Sequence, residues 1–201
     1  MSTELAFVGD VHGNLDALRA LNVELAARGN PHTVFLGDYI NKGPHSSDVL
    51  HELLSQSAAG HATLLRGNHE TAMLEALDSG DLTVFLKMGG AVTIRSYVGR
   101  WVEPDVLKQF RVSVPEEHLQ AIRRMPHTLE FDDVIAQHVP SSAQTKKFRV
   151  SAHMPVGPLP RIRRLSAQLD TGCGSDGGRL TALLWPSLNY VQADSAGIVQ
   201  I

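Results

Sequence analysis

The sequence predicts an α/β protein built as a two-sheet, mixed β-sandwich flanked by helices, and two observations carry that expectation. In the first 80 residues a short apolar run, a polar loop and an amphipathic stretch follow one another three times. In the last third the pattern changes to short apolar segments separated by Gly, Pro and Ser. The first grammar is that of successive βα units, which form a largely parallel, buried sheet with helices packed on it. The second implies a second, mixed sheet packed on the first.

The first unit is Leu5-Ala6-Phe7-Val8, stopped by Gly9-Asp10, with helical spacing from Asn14 through Leu15, Leu18, Leu21 and Leu25. The second is Thr33-Val34-Phe35-Leu36, a loop from Gly37 to Pro44, and a helix from about Ser46 carrying Val49, Leu50, Leu53 and Leu54. The third is Ala62-Thr63-Leu64-Leu65, the turn Arg66-Gly67-Asn68, and a helix through Met73, Leu74 and Leu77. Residues 80–126 read as a helical cover or insertion over the site, with Pro115 opening a helix that carries Leu119, Ile122 and Met125. The later strand candidates are 134–137, 148–151, 168–170, 180–185 and 189–192, with a proline-rich loop at 154–160.

A length of 201 residues, 43% of them apolar, suits one domain over 1–201. A formal charge of -3 supplies no global field for nucleic acid or an anionic membrane, so neither is an expected partner. The lone Cys173 cannot form an intramolecular disulfide, and the first residues lack the basic and apolar stretches of a signal peptide. No apolar run approaches the ~18 residues of a membrane span. Together these predict a cytoplasmic protein.

Asp10, His12, Asp38, Asn68 and His69 all fall just beyond the three early strands, where open α/β sheets place their ligands. Paired carboxylates with nitrogen ligands suit two divalent ions of the Mn, Fe or Zn class better than an oxygen-lined Mg or Ca site. Asp38 is the natural bridge between the ions. Asp10 and His12 can reach one ion from the same side, and Asn68 offers an amide oxygen to the other. His138 and His153, each after a short apolar strand, are candidates for two further nitrogen ligands. Such a pair activates a bridging water and draws charge from a phosphate. His32, His45, His51, His61, His118 and His127 have no partner pattern and read as exposed or capping residues, with His45 held open for its nearness to the metal loop. Cys173 reads as a small buried packing residue. The glycine-rich run 172–178 precedes a strand, not a helix, so it is no phosphate cradle.

The segments Gly9-Asp10-Val11-His12-Gly13-Asn14, Gly37-Asp38-Tyr39-Ile40-Asn41-Lys42-Gly43-Pro44 and Leu65-Arg66-Gly67-Asn68-His69-Glu70 closely resemble the signatures of the calcineurin-like metallophosphoesterases, in particular the bacterial serine/threonine phosphoprotein-phosphatase-like branch. The resemblance implies the four-layer metallophosphoesterase fold. It also implies one ion on Asp10, His12 and Asp38, and a second on Asp38, Asn68, His138 and His153, with manganese foremost and iron or zinc as alternatives. His69 stands at the position of the family's general acid, and Arg66 and Asn68 fall on the substrate side. The implied activity is hydrolysis of phosphomonoesters, on phosphoproteins or small aryl phosphates, by attack of a metal-bridging hydroxide.

The middle segment departs from the family's Asp-Arg-Gly, reading Asn41-Lys42-Gly43. Asn41 can still hold the His69 ring through its oxygen but adds no negative charge, which disfavours a protonated acid. Lys42 keeps a charge for substrate but loses the planar two-pronged grip of arginine. No arginine matches the family's second substrate arginine. Lys146, Lys147 and Arg149 lie in the corresponding span, where a solvated charged loop is the simpler reading. The departures shift preference from Ser and Thr alkoxides toward aryl phosphates and phosphoanhydrides. They also raise two alternatives: a symmetric dinucleoside-polyphosphate hydrolase, which shares the missing Asp, and a metal-binding pseudophosphatase that recognises phosphorylated partners without turnover.

Overall fold

In the computed structural model, which describes residues 4–200, the three early units are β1 (Leu5–Val8), α1 (Leu15–Ala27), β2 (His32–Phe35), α2 (Ser46–Ala58), β3 (Ala62–Leu64) and α3 (Asn68–Ser79). β1 pairs with β2 and β2 with β3, both in parallel. β1 is apolar at every position because both of its faces are covered. Ala6 and Val8 join the core under the helices, while Leu5 and Phe7 join the core between the sheets. Burying a side chain such as Phe7 stabilises the fold by about 1.5–3 kcal/mol. α1 begins where the Asn14 side chain accepts the Ala17 N–H at 3.1 Å, and its buried stripe is the predicted Leu15, Leu18, Leu21 and Leu25.

Residues 80–126 contain four short helices, α4 (Thr83–Lys87), α5 (Gly90–Val98), α6 (Val106–Ser113) and α7 (Glu116–Arg124). They pack against α2 and α3 and reach the site at one corner, through Thr93 on α5 and the αL residue Gly89. α7 is strongly two-sided. Its apolar Ile122 faces the core, while Arg123 pairs with Asp78 across to α3.

The remaining strands are β4 (Thr128–Glu130), β5 (Val134–Gln137), β6 (Phe148–Ser151), β7 (Arg161–Arg163), β8 (Ser166–Gln168), β9 (Arg179–Trp185), β10 (Tyr190–Asp194) and β11 (Val199–Gln200). They complete two mixed sheets, ordered β11-β10-β9-β1-β2-β3 and β4-β5-β6-β8-β7. The α/β two-sheet sandwich predicted from the sequence is therefore the observed fold. Two details differ. β9 and β10 extend the first sheet, β9 pairing antiparallel with β1, because its run Leu180 to Leu183 is buried on both faces. The strand expected at 168–170 ends at Gln168. The helical core residues all belong to the cluster under the helices, and none joins the cluster between the sheets. Among the described residues no helix is long and apolar enough to cross a membrane.

Candidate metal centre

Three loops after β1, β2 and β3 meet at one point with the turn after β6, and their backbones are bent to do so. Seven non-glycine residues among those described have left-handed φ, and five of them are His12 (48°), Asp38 (57°), Asn41 (71°), Lys42 (61°) and His153 (66°). Such conformations cost free energy and persist where the surroundings fix them. Gly37, at φ 114°, leaves no room for a side chain. A Cβ there would lie 2.7 Å from Gly67 N and 3.0 Å from His138 Nδ1. The residue that fixes the loops is Glu70, fully buried, whose carboxylate accepts the N–H groups of Asp38 (2.9 Å), Tyr39 (2.8 Å) and Gly67 (3.0 Å). Sequence reasoning placed Glu70 in a motif without giving it this role.

The predicted ligands converge. Asn68 Oδ1 lies 2.9 Å from His138 Nε2 and 2.8 Å from His153 Nδ1, and His138 Nε2 lies 3.3 Å from Asp38 Oδ1. On the other side, His12 Nε2 is 3.6 Å from Asp10 Oδ2. Asp38 belongs to both groups: with His138 and His153 it forms one cluster of metal-competent atoms, and with His12 and His69 another. The second cluster places His69 closer to ligand atoms than the sequence reading did, its Nε2 3.7 Å from Asp38 Oδ2.

Two features of the donor set fit divalent ions. His12 Nδ1 lies 3.0 Å from Ile40 O, and His138 Nδ1 lies 3.0 Å from Leu36 O. A carbonyl can only accept, so each ring donates its Nδ1–H outward and aims Nε2 inward, where the neutral His12 offers a lone pair, the usual arrangement of a ligating histidine. The Lys42 ammonium lies 2.7 Å from His12 Nε2, so that lone pair already faces a cation.

Electrostatics point the same way. Burial, then the charges of Asp38 and Asp170, push the Asp10 carboxyl well above its ordinary pKa. Burial also acts upward on Asp38, but its hydrogen bond to His138 and the His138 charge outweigh it and hold that carboxylate below the usual range. Burial, then Lys42, pushes His12 down to about 3, so its imidazole is neutral. Asp38 in turn holds the His138 pKa up against its burial, and crowded buried carboxylates of this kind are relieved by bound positive charge.

His69 is oriented differently from the expectation. Asn41 Nδ2 lies 2.6 Å from His69 Nδ1, whereas the sequence reading had the Asn41 oxygen holding the ring. The reason is Thr93, fully buried and not singled out from the sequence. Thr93 Oγ1 receives the Asn41 backbone N–H at 2.9 Å, and lies 2.6 Å from Asn41 Oδ1 and 2.9 Å from Ser46 Oγ. Its single proton goes to the nearer acceptor, Asn41 Oδ1, which leaves the amide N–H group for His69. His69 Nδ1 is then an acceptor, and Nε2 carries the ring proton. Burial lowers the His69 pKa, in keeping with a neutral ring.

The predicted substrate residues are less concerted. Arg66 lines a cleft of about 590 Å³ with Asn68, His127, His138 and Ser141. Its guanidinium lies 2.6 Å from His127 Nε2, and its Nε is buried without a partner. Lys147 bonds Glu130 and Phe131 O, and Arg149 bonds Ser141 O while its Nε is buried without a partner. His45 pairs locally with Asp48 at 3.4 Å. Cys173 is buried, its thiol pushed up to about 12 by burial and then Asp10, and donates to Val11 O at 3.2 Å.

A sheet sandwich with such a loop cluster is the architecture of metal-dependent phosphoesterases, and comparison with known proteins gives the family. The model described as calcineurin-like phosphoesterase matches residues 3–187, and the chain belongs to that family of hydrolases. It is 38% identical over 84 residues to serine/threonine-protein phosphatase 2 of Escherichia coli K12, covering 41% of this chain and 37% of that protein. It is 24% identical over 229 residues to the asymmetrical bis(5'-nucleosyl)-tetraphosphatase PrpE of Halalkalibacterium halodurans, covering 94% and 92%. A solved structure described as a candidate diadenosine tetraphosphatase superposes with TM-score 0.68 at 20% identity, covering 96% and 94% of the two chains. The relatives matched above 30% identity are thus covered over 37% of their own length or less.

Proposed function

We propose that the protein hydrolyses phosphoesters whose leaving group departs with little protonation, foremost aryl phosphomonoesters, in small molecules or phosphoproteins. Asp10, His12 and Asp38 would hold one divalent ion, and Asp38, Asn68, His138 and His153 a second, with manganese foremost. Held there, the ions would supply an activated water and draw charge from the phosphoryl oxygens.

The observation that carries this reading is the buried contact of Asn41 Nδ2 with His69 Nδ1. A neutral ring presenting Nε2–H can hydrogen-bond the leaving oxygen as the P–O bond breaks, but it releases that proton poorly. An aryloxide, whose conjugate acid has a pKa of ≈ 10 for Tyr, leaves with that help. A serine or threonine alkoxide needs the full proton.

A second reading, hydrolysis of a nucleotide phosphoanhydride, also satisfies the leaving-group argument. It is favoured by the near-full-length similarity to the H. halodurans tetraphosphatase and by the cleft in which Arg66 faces the space beside Asn68 and His138.

The test is turnover of a phosphotyrosine peptide, a phosphoserine peptide and diadenosine tetraphosphate after chelation and manganese add-back. The phosphotyrosine peptide should be hydrolysed fastest. A faster tetraphosphate selects the second reading, and a faster phosphoserine peptide overturns the leaving-group argument. Metal binding without any turnover would make the protein a phospho-recognition module.

A further inference from the structure

Three residues outside the centre, two of them histidines read from the sequence as exposed or capping, are brought together by the packing of α7 on α2. His51 comes from α2, and Glu117 and His118 from α7. Each offers one ligand atom, and the three atoms lie within 4.8 Å of one another. The imidazoles of His51 and His118 have centroids 6.1 Å apart. They border a cleft of about 640 Å³ between the two helices, also lined by Leu54, Leu64 and Met125. None of the ligands of the first centre lines it.

The solvated-surface reading accounts for His51 and Glu117, both exposed. It does not account for His118, which is 3% exposed, with Nδ1 3.0 Å from the Tyr97 hydroxyl and the Tyr97 ring edge-on at 5.8 Å. With Nδ1 engaged inward, Nε2 is the nitrogen left for Glu117 and His51. A fixed ring with its outer nitrogen free is how ligating histidines are prepared. Two imidazoles and one carboxylate are the ligand set of zinc-class ions, with an open position for water, and a poor set for calcium or magnesium, which prefer oxygen.

We propose that His51, Glu117 and His118 form a separate binding site for a zinc-class divalent ion that ties α7 to α2. Bound there, the ion stabilises the folded state by mass action without entering the phosphoesterase chemistry.

The test measures zinc content after equilibrium dialysis at micromolar free zinc, in an Asp38→Asn, His138→Gln background that disables the first centre. That protein should retain one equivalent and melt at a higher temperature with zinc than without. His51→Gln and Glu117→Gln, at exposed positions that leave the core intact, should each abolish both effects. In the otherwise unaltered chain, His51→Gln should leave manganese-supported turnover unchanged. The proposal fails if the disabled background holds no zinc, or if His51→Gln and Glu117→Gln hold as much as their parent. Loss of turnover in His51→Gln would contradict the separateness of the site.

Discussion

Asp10, His12, Asp38, Asn68, His138 and His153 sit at strand ends and crowd their ligand atoms on one another, whereas Arg66, Lys147 and Arg149 bond to protein groups outside that cradle and Lys42 reaches it through His12 Nε2. The cradle is held by main-chain bonds: Glu70 to three amides, His12 to Ile40 O, His138 to Leu36 O. The rim depends on tertiary partners such as Thr93 and His127. The proposed metal site therefore rests on the backbone path of its loops, while the proposed leaving-group and substrate preference rests on a few side chains that can change without disturbing it.

The largest effect is expected inside the cradle. Asp38→Asn removes the residue shared by both ligand clusters, so metal content and turnover should fall by more than the roughly 100-fold seen when an outer hydrogen-bonding partner is lost. Retention of both ions would break the contrast between cradle and rim. Glu70→Gln tests the claim that the loops are pinned from below. It converts a carboxylate accepting three buried N–H groups into an amide that can accept fewer, and should cost about 2–3 kcal/mol in urea denaturation. At the rim, Thr93→Val should lower turnover on aryl phosphates roughly 10-fold with metal content unchanged, and Thr93→Ser should restore it. Lys42→Arg should change KM by only a few-fold, since the chain already supplies a cation there.

The cradle was legible because each ligand follows an apolar strand within a few residues, so Asp10, Asp38 and Asn68 announce both their chemistry and their place. The βα units were legible for a related reason: the stripe Leu15, Leu18, Leu21 and Leu25 and the doubly buried run 5–8 are local signals. What escaped was non-local. β9 pairs with β1 across more than 170 residues of sequence, and nothing in Leu180 to Trp185 names that partner. β4 and β7 are three-residue edge strands, Thr128–Glu130 and Arg161–Arg163, too short and too polar to stand out from loop. Thr93 is one buried threonine in a nine-residue helix, and its bond to Asn41 spans 52 positions. The amide orientation it imposes could not be read from Asn41 alone.

The proposed leaving-group preference turns on that orientation, and one measurement addresses it: the slope of log(kcat/KM) against leaving-group pKa over a series of aryl and alkyl phosphates, for the natural chain and for Asn41→Asp. An aspartate keeps one oxygen on Thr93 and offers the other to His69, which then carries its proton on Nδ1 and can be charged for proton donation. The natural chain should show a steep dependence on the leaving group and Asn41→Asp a shallower one, its gain concentrated on alkyl substrates. Equal slopes would contradict the assignment of leaving-group preference to Asn41 and Thr93.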